Sequence, residues 1–287
     1  MKVWIFLPAY NERASLVMLL PKLEEMARSF DDDGMSVLLV DDGSNDGTSD
    51  VLRQFAGLKS VVLTHKINRG LGETERDGFE YLAEACGADD VIVRLDCDDT
   101  HEPKYIAALL DKLKEGFDVV NTSRFQPGGY QVGVNWYRRF ISRAANVFMK
   151  VVFGLNGIKD YSCGFRAYRA AVIKDAVAIF GNGFLQMKGF GFTSTLEIIV
   201  KLNLLGCRFA EVPFGLRYDQ KVTDSKMASS VTMLGYLCMA TLYHLPKYGW
   251  RAWRRRLASA YSQSATEAAK VYSQMRGSKS IASRLGA

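Results

Sequence analysis

The sequence has no CxxC pair, and its five cysteines (Cys86, Cys97, Cys163, Cys207, Cys238) are odd in number and widely spaced. A disulfide framework and a structural zinc site are therefore excluded, and a reducing cytoplasm is the expected compartment. Neither G-x-G-x-x-G nor G-x-x-x-x-G-K-[ST] occurs, which removes the usual support for a dinucleotide fold or a P-loop. Internal repeats and low-complexity tracts are lacking too. The opening "MKVWIFLPAYNE" carries one lysine and a short apolar stretch before Pro8, and reads as a first strand, not a signal peptide.

What is present is enough apolar content, 48% of 287 residues, for one large α/β domain or two small ones. The formal charge of +6 is uneven. From Lys247 onward there are nine Lys or Arg against one acid, Glu267, a net +8, so residues 1–246 carry about −2. A basic C-terminal segment suits an anionic membrane surface better than nucleic acid.

Apolar runs alternate with helical spacing along the first half. Strands are expected at 2–10, 35–44, 59–68, 89–99 and 117–125, with helices at 12–30, 48–57, 70–87 and 103–116 between them. Continuous Val/Ile/Leu strands alternating with helices predict a mainly parallel sheet covered on both faces. Ligands of such sheets bind beyond the carboxyl ends of the strands. The polar clusters "PAYNE", "DDGSNDGT", "NRGLG" and "DCDDTHEP" all fall at those ends, and their convergence on one site is the main structural expectation.

Further on, residues 137–154 read as a helix whose apolar positions Ile141, Ala145, Phe148 and Val152 recur beside Arg138, Arg139 and Arg143. Another helix is expected at 196–206 and a last strand at 208–218. Residues 227–245 are long enough to span a bilayer but weakly apolar, so a helix lying on the membrane or packed on the domain is expected over a spanning one. A boundary follows between a catalytic unit at 1–226 and a helical, basic tail at 227–287, expected to be partly disordered and to contact a membrane or a membrane-protein partner.

Asp96 and Asp98 are two apart at a strand terminus, with Cys97 pointing the other way. Both carboxylates can then aim at one point, and two hard oxygens suit Mg²⁺ or Mn²⁺ when substrate phosphates supply other ligands. Asp41 and Asp42, ending the second strand, can accept hydrogen bonds from a base or a ribose, besides forming an Asx turn and a helix cap. His101, two residues before Pro103, reads as a capping or packing residue. Glu197, inside an apolar helix, is either a buried structural carboxylate or a group orienting substrate.

Taken in order, "LPAYNE" (7–12), "VDDGSNDGT" (40–48), "NRGLG" (68–72) and "DCDDTHEP" (96–103) resemble the family 2 glycosyltransferases with the GT-A nucleotide-sugar fold. "SRF" (123–125), "RRFISRAAN" (138–146), "DYSCGFRAYR" (160–169), "LEI" (196–198), "EVP" (211–213) and "SKM" (225–227) are similar to the dolichyl-phosphate and polyprenyl-phosphate mannosyltransferases. The resemblance implies an inverting, metal-dependent hexosyltransferase, with GDP-mannose as donor and a polyprenyl phosphate as acceptor, at the cytoplasmic face of a membrane. A UDP-sugar, a hydroxyl acceptor served by Asp99, Asp160 or Glu197 as base, and a non-catalytic nucleotide-sugar binder are the alternatives.

By position, the resemblance puts Pro8, Tyr10, Glu12, Val40, Asp42, Asp96 and Cys97 at the nucleotide. Asp98 goes on the metal with Asp96, and Arg124 and Lys226 on the diphosphate. Arg138, with Ser162 and Arg166, goes at the acceptor phosphate. Thr100 stands where the family often has a Gln ligand to the metal, beside the unusual Asp99. The segment "LRYDQKVTDSK" is one residue longer than the family's, so Arg217 or Lys221 fills its arginine position, with Arg217 preferred.

Overall fold

In the computed structural model the described residues are 1–31, 34–221, 229–244 and 249–276. The first half follows the alternating pattern: β1 (Val3–Ala9), α1 (Arg13–Ala27), β2 (Met35–Asp41), α2 (Thr48–Leu52), β3 (Ser60–Thr64), α3 (Leu71–Ala85), β4 (Val91–Arg94), α4 (Ile106–Lys114) and β5 (Val119–Ser123). Then come β6 (Tyr130–Val132), α5 (Trp136–Phe153), β7 (Arg166–Arg169), α6 (Ala170–Phe180), α7 (Thr193–Leu204), β8 (Phe209–Pro213), β9 (Gly215–Arg217), α8 (Ser229–His244), α9 (Gly249–Tyr261) and α10 (Ala265–Met275).

One sheet runs β3-β2-β1-β4-β7-β5-β8, parallel except for β7, which is antiparallel to both neighbours. Strand β7 is absent from the sequence pattern because "RAYR" has arginine at both ends. Its Arg166 is nonetheless fully buried, donating to the carbonyls of Thr195 and Tyr161. The single strand expected at 208–218 is two: Pro213 has no N–H to extend the ladder, and β9 pairs with β6 in a separate two-stranded sheet.

Strand β1, all apolar, and β2, apolar but for Ser36 and Asp41, are buried along their whole length. On one face α1, α2 and α4 cover the sheet with Leu16, Leu20, Leu52 and Leu109. On the other, α3 packs so closely that a Cβ on Gly78 would lie 2.2 Å from the Phe6 ring.

That second core does not stop at residue 226. Tyr236, Met239 and Tyr243 of α8, Trp250 and Leu257 of α9, and Ala268 and Tyr272 of α10 belong to the same cluster as α6 and α7. Trp250 Nε1 donates to the Phe153 carbonyl at 3.1 Å, and the Tyr261 hydroxyl to Asp175 at 2.7 Å. The described part of the expected tail is thus helical and packs on the domain's own core, because its aromatic residues have an apolar face to cover. Among the described residues no helix is long and apolar enough to cross a membrane.

A buried charge ties these helices in. Lys201 of α7 is 1% exposed and sits 4.7 Å from the Phe180 ring centre and 5.4 Å from those of Tyr243 and Tyr272. Burial pushes its ammonium down to about 8, against the pull of Glu197. Below pH 8 the folded protein holds this charge at a cost. Between pH 8 and the ordinary lysine value of 10.5 the unfolded chain keeps a proton that the folded one has lost, so raising the pH favours folding. Denaturant titrations should therefore show the wild type gaining stability relative to Lys201→Met from pH 8 to 10; parallel pH profiles would refute the lowered value.

Candidate active site

Beyond the carboxyl ends of β1, β2, β4 and β5 lies a cavity of about 560 Å³. Pro8, near the end of β1, and Tyr10 and Glu12 after it enter the cavity, with Asp42 after β2, Asn68 and Gly70 after β3, and Asp96, Cys97, Asp98 and Thr100 after β4. Arg124 follows β5, and α5 adds Arg138 and Ser142; Ser162, Tyr218, Lys221 and, from α8, Tyr236 complete the wall.

The loops are stitched to one another by side chains acting on backbone. Asn11, at a φ of 50°, accepts from Asn45 N at 3.0 Å, and its own N–H donates to Ser44 Oγ at 2.8 Å. Glu12 N donates to Thr48 Oγ1 at 2.9 Å. Asp42 accepts from the backbone N–H groups of Arg69 and Gly70, both at 2.8 Å, and contacts His65 Nδ1 at 2.7 Å. The carboxylate expected at a base or ribose thus also fastens the "NRGLG" loop to β2.

In "RLDCDDTHEP" the four acids separate. Asp96 Oδ1 lies 2.5 Å from Arg94 Nη1, and the Asp96 N–H donates to His101 Nδ1 at 3.2 Å. Burial would raise the Asp96 carboxyl, but Arg94 beside it holds it below the usual carboxylate range. His101 is buried and stacked on Phe165, with ring centres 5.3 Å apart, and burial lowers its pKa; it is a packing residue. Cys97 donates to the Pro8 carbonyl at 3.3 Å, and burial keeps its thiol well above the ordinary value.

Asp98 Oδ1 accepts from the Thr100 hydroxyl at 2.6 Å and from Thr100 N at 3.2 Å, while Oδ2 is taken by Lys221 Nζ. Thr100, expected at the metal, is thus bonded to Asp98 through both its hydroxyl and its N–H. Asp99 adopts a φ of 58° and turns away to Lys22, 2.7 Å from both its oxygens. Glu102 pairs with Lys104 at 2.7 Å.

Elsewhere in the lining Arg124 forks onto Asp160, with Nε–Oδ2 2.7 Å and Nη2–Oδ1 2.8 Å, and Nη2 also reaches Ser162 Oγ at 2.7 Å. Burial opposes both charges, and each holds the other ionised: Asp160 below the carboxylate range, Arg124 above the usual guanidinium value. Arg138 donates to the Tyr218 hydroxyl at 2.6 Å.

Several expected site residues stand elsewhere. The Val40 side chain points into the core because β2 is buried on both faces, and Arg166 is bound to core carbonyls, with no access to an acceptor. Arg217 is outside the cavity, pairing with Asp219 at 2.8 Å, so of the two candidates it is Lys221 that faces the acids. Lys226 lies outside the described residues. Arg94 was missed as a site-forming group and Asp160 was named only as an alternative base, although an arginine inside the apolar run "VIVRL" is a signal that a buried acid must be near.

Could this wall hold a divalent cation? Asp96 and Asp98 supply hard oxygen atoms two residues apart, which suits Mg²⁺ or Mn²⁺. Among the described residues no cluster of three or more His, Cys, Asp or Glu is arranged to hold one, so the pair fits a metal that takes its remaining ligands from a phosphate-bearing substrate.

Residues 4–176 match the family described as glycosyl transferase family 2. The chain is 33% identical over 80% of its length to an undecaprenyl-phosphate mannosyltransferase of Micrococcus luteus, covering 89% of that protein. It is 31% identical over 63% of its length to a polyprenol monophosphomannose synthase of Mycolicibacterium smegmatis, covering 67% of it. The fold is similar to that of glucosyl-3-phosphoglycerate synthase from Mycobacterium tuberculosis solved with Mn²⁺, UDP and phosphoglyceric acid (TM-score 0.58, 17% identity, 84% of this chain and 77% of that one). The same enzyme with Mg²⁺ and UDP gives a TM-score of 0.56 at 17% identity, over 84% of this chain and 78% of that one. At such identity the likeness speaks for a GT-A-like fold alone.

Removing the charge on Asp160 strands a guanidinium in a buried wall. Asp160→Asn should cost about 3–5 kcal/mol of stability in urea unfolding, and a loss below about 1 kcal/mol would mean that water reaches Arg124.

Proposed function

We propose that this chain, which belongs to glycosyl transferase family 2, transfers a hexose from a nucleoside-diphosphate sugar to a polyprenyl phosphate, with mannose from GDP-mannose as the first candidate. The relatives named as mannosyltransferase and phosphomannose synthase support the acceptor class and the sugar. The single observation that carries the reading is that every carboxylate offered as a base for a hydroxyl acceptor is already committed. Asp99 is held by Lys22 and Asp160 by Arg124. Glu197, fully buried, accepts from the backbone N–H groups of Gln186 and Met187 at 2.7 and 2.8 Å and from the Tyr243 hydroxyl at 3.1 Å.

A phosphate acceptor needs no such base, since it is an anion at neutral pH. Arg138 and the Ser162 hydroxyl offer donors in the cavity lining for an acceptor phosphate, and the acids after β4 are assigned to the nucleotide. A phosphate oxygen attacks the anomeric carbon as the bond from that carbon to the nucleoside diphosphate breaks on the opposite face, which inverts the configuration. Holding the two anions in line is the main task of the chain's own residues. Bound Mg²⁺ or Mn²⁺, held through Asp96 and Asp98, would neutralise the departing diphosphate.

The lipid would come from a bilayer against α5 and α8. These helices touch, both line the cavity, and both expose large apolar side chains: Trp136 at 76%, Phe140 at 65% and Val151 at 80% on α5, and Leu234 at 53% and Leu237 at 50% on α8. The exposed Arg139, Arg143 and Lys150 beside them fit an anionic, cytoplasmic-side headgroup layer, as does the arginine-rich α9.

Purified protein with Mg²⁺ or Mn²⁺, polyprenyl phosphate and a panel of labelled GDP- and UDP-sugars should place label in a mild-acid-labile lipid. Arg138→Ala should lower turnover roughly 100-fold while Asp99→Asn stays within a few-fold of wild type. Absence of lipid product across the panel rejects the proposal, and loss of activity in Asp99→Asn with retention in Arg138→Ala favours a hydroxyl acceptor. Phe140→Glu with Val151→Glu should weaken sedimentation with phosphatidylglycerol vesicles by roughly tenfold or more; unchanged binding would exclude this face.

A further inference from the structure

The two aspartates of the proposed metal site are held by cations of very different mobility. Asp96 is fastened to Arg94, which is 1% exposed, lies 3.2 Å through Nε from Glu75 Oε1, and is so enclosed that a Cβ on Gly164 would lie 2.0 Å from its Nη1. That guanidinium has nowhere to go. Asp98 is different: Oδ1 is occupied by the hydroxyl and N–H of Thr100, and Oδ2 by the ammonium of Lys221. Lys221 reaches it from the cavity wall on a flexible four-carbon stem, with its ammonium also 5.8 Å from the centre of the Tyr218 ring.

Both Asp98 oxygens therefore carry a donor, and the ammonium on Oδ2 repels a divalent cation approaching the same carboxylate. We propose that Lys221 is a resident cation of the metal site, holding Asp98 when no nucleotide is bound and surrendering it when a nucleoside diphosphate offers the ammonium its own oxygens. The diphosphate then satisfies Lys221 and supplies ligands to the metal at once. Metal and nucleotide bind cooperatively, and by linkage each tightens the other by the same factor. Lys221 also keeps the acids neutralised between turnovers, so the empty site does not capture stray divalent ions. The inference rests on the nucleotide-sugar reading of the cavity and adds a coupling between metal and nucleotide to it.

The test uses the full chain and free Mn²⁺ measured by electron paramagnetic resonance at constant pH, with and without GDP or UDP. Wild type should bind Mn²⁺ weakly alone and at least about tenfold more tightly with the preferred nucleotide. Lys221→Gln should bind Mn²⁺ alone about tenfold more tightly than wild type and lose most of the nucleotide effect, Lys221→Arg should behave like wild type, and Asp98→Asn should bind poorly throughout. Unfolding curves confirm that each variant is folded. If nucleotide tightens Mn²⁺ binding equally in wild type and Lys221→Gln, and the variant alone binds no better, the resident-cation role is overturned while the nucleotide reading stands. If no protein binds Mn²⁺ under any condition, the metal part of the proposed function falls, and this inference with it.

Discussion

Two arginines face each other inside this protein, Arg94 on β4 and Arg166 on β7, paired in register across an antiparallel ladder and both buried. Like charges so placed repel, and neither can turn to water, so each must be answered by a partner within the fold. Arg166 is answered by the carbonyls of Thr195 and Tyr161, Arg94 by Glu75 and Asp96. Glu75 also accepts the hydroxyls of Ser194 and Thr195, at 2.6 and 2.9 Å. A single polar layer thereby joins β4, β7, α3 and the start of α7, and it sets where the first aspartate of the pair points. Such a layer stands only when complete, because removing one member leaves an uncompensated buried charge.

From that layer outward the cavity is a balance of opposed charges with little slack. Asp98, Asp99 and Asp160 each hold a cation, and the backbone N–H groups of one loop are spent on the carboxylate of another. Carboxylates already engaged in this way are poor proton acceptors, whereas the cations they hold can be shared with incoming phosphates. Chemistry on two anions suits such a wall, and abstraction of a proton from a hydroxyl does not. The C-terminal helices take part as well: Tyr236 of α8 lines the cavity while Tyr243 holds Glu197, whose other oxygen fixes residues 186 and 187. A membrane seated against α8 would thus lie one helix away from the substrates.

Much of this was legible in the sequence. Apolar strands of the right length, alternation with helices, and four polar clusters at the strand ends specify a parallel sheet with its site at one edge, because period and burial are local properties of the chain. The spacing of Asp96 and Asp98 and the helical apolar spacing of residues 137–154 are local in the same sense. What the sequence could not decide is which charge meets which. Lys22 and Asp99 are 77 residues apart, Lys221 and Asp98 are 123 apart, and Arg217 differs from Lys221 only in where a short strand ends and the chain turns. Likewise "RAYR" shows no strand pattern until the sheet closes around it, and only the apolar face of α6 and α7 decides where the aromatic, basic C-terminal helices pack. Local periodicity determined the elements and the edge at which they meet; desolvation, which forces each buried charge onto a partner distant in sequence, was decided only by the tertiary structure.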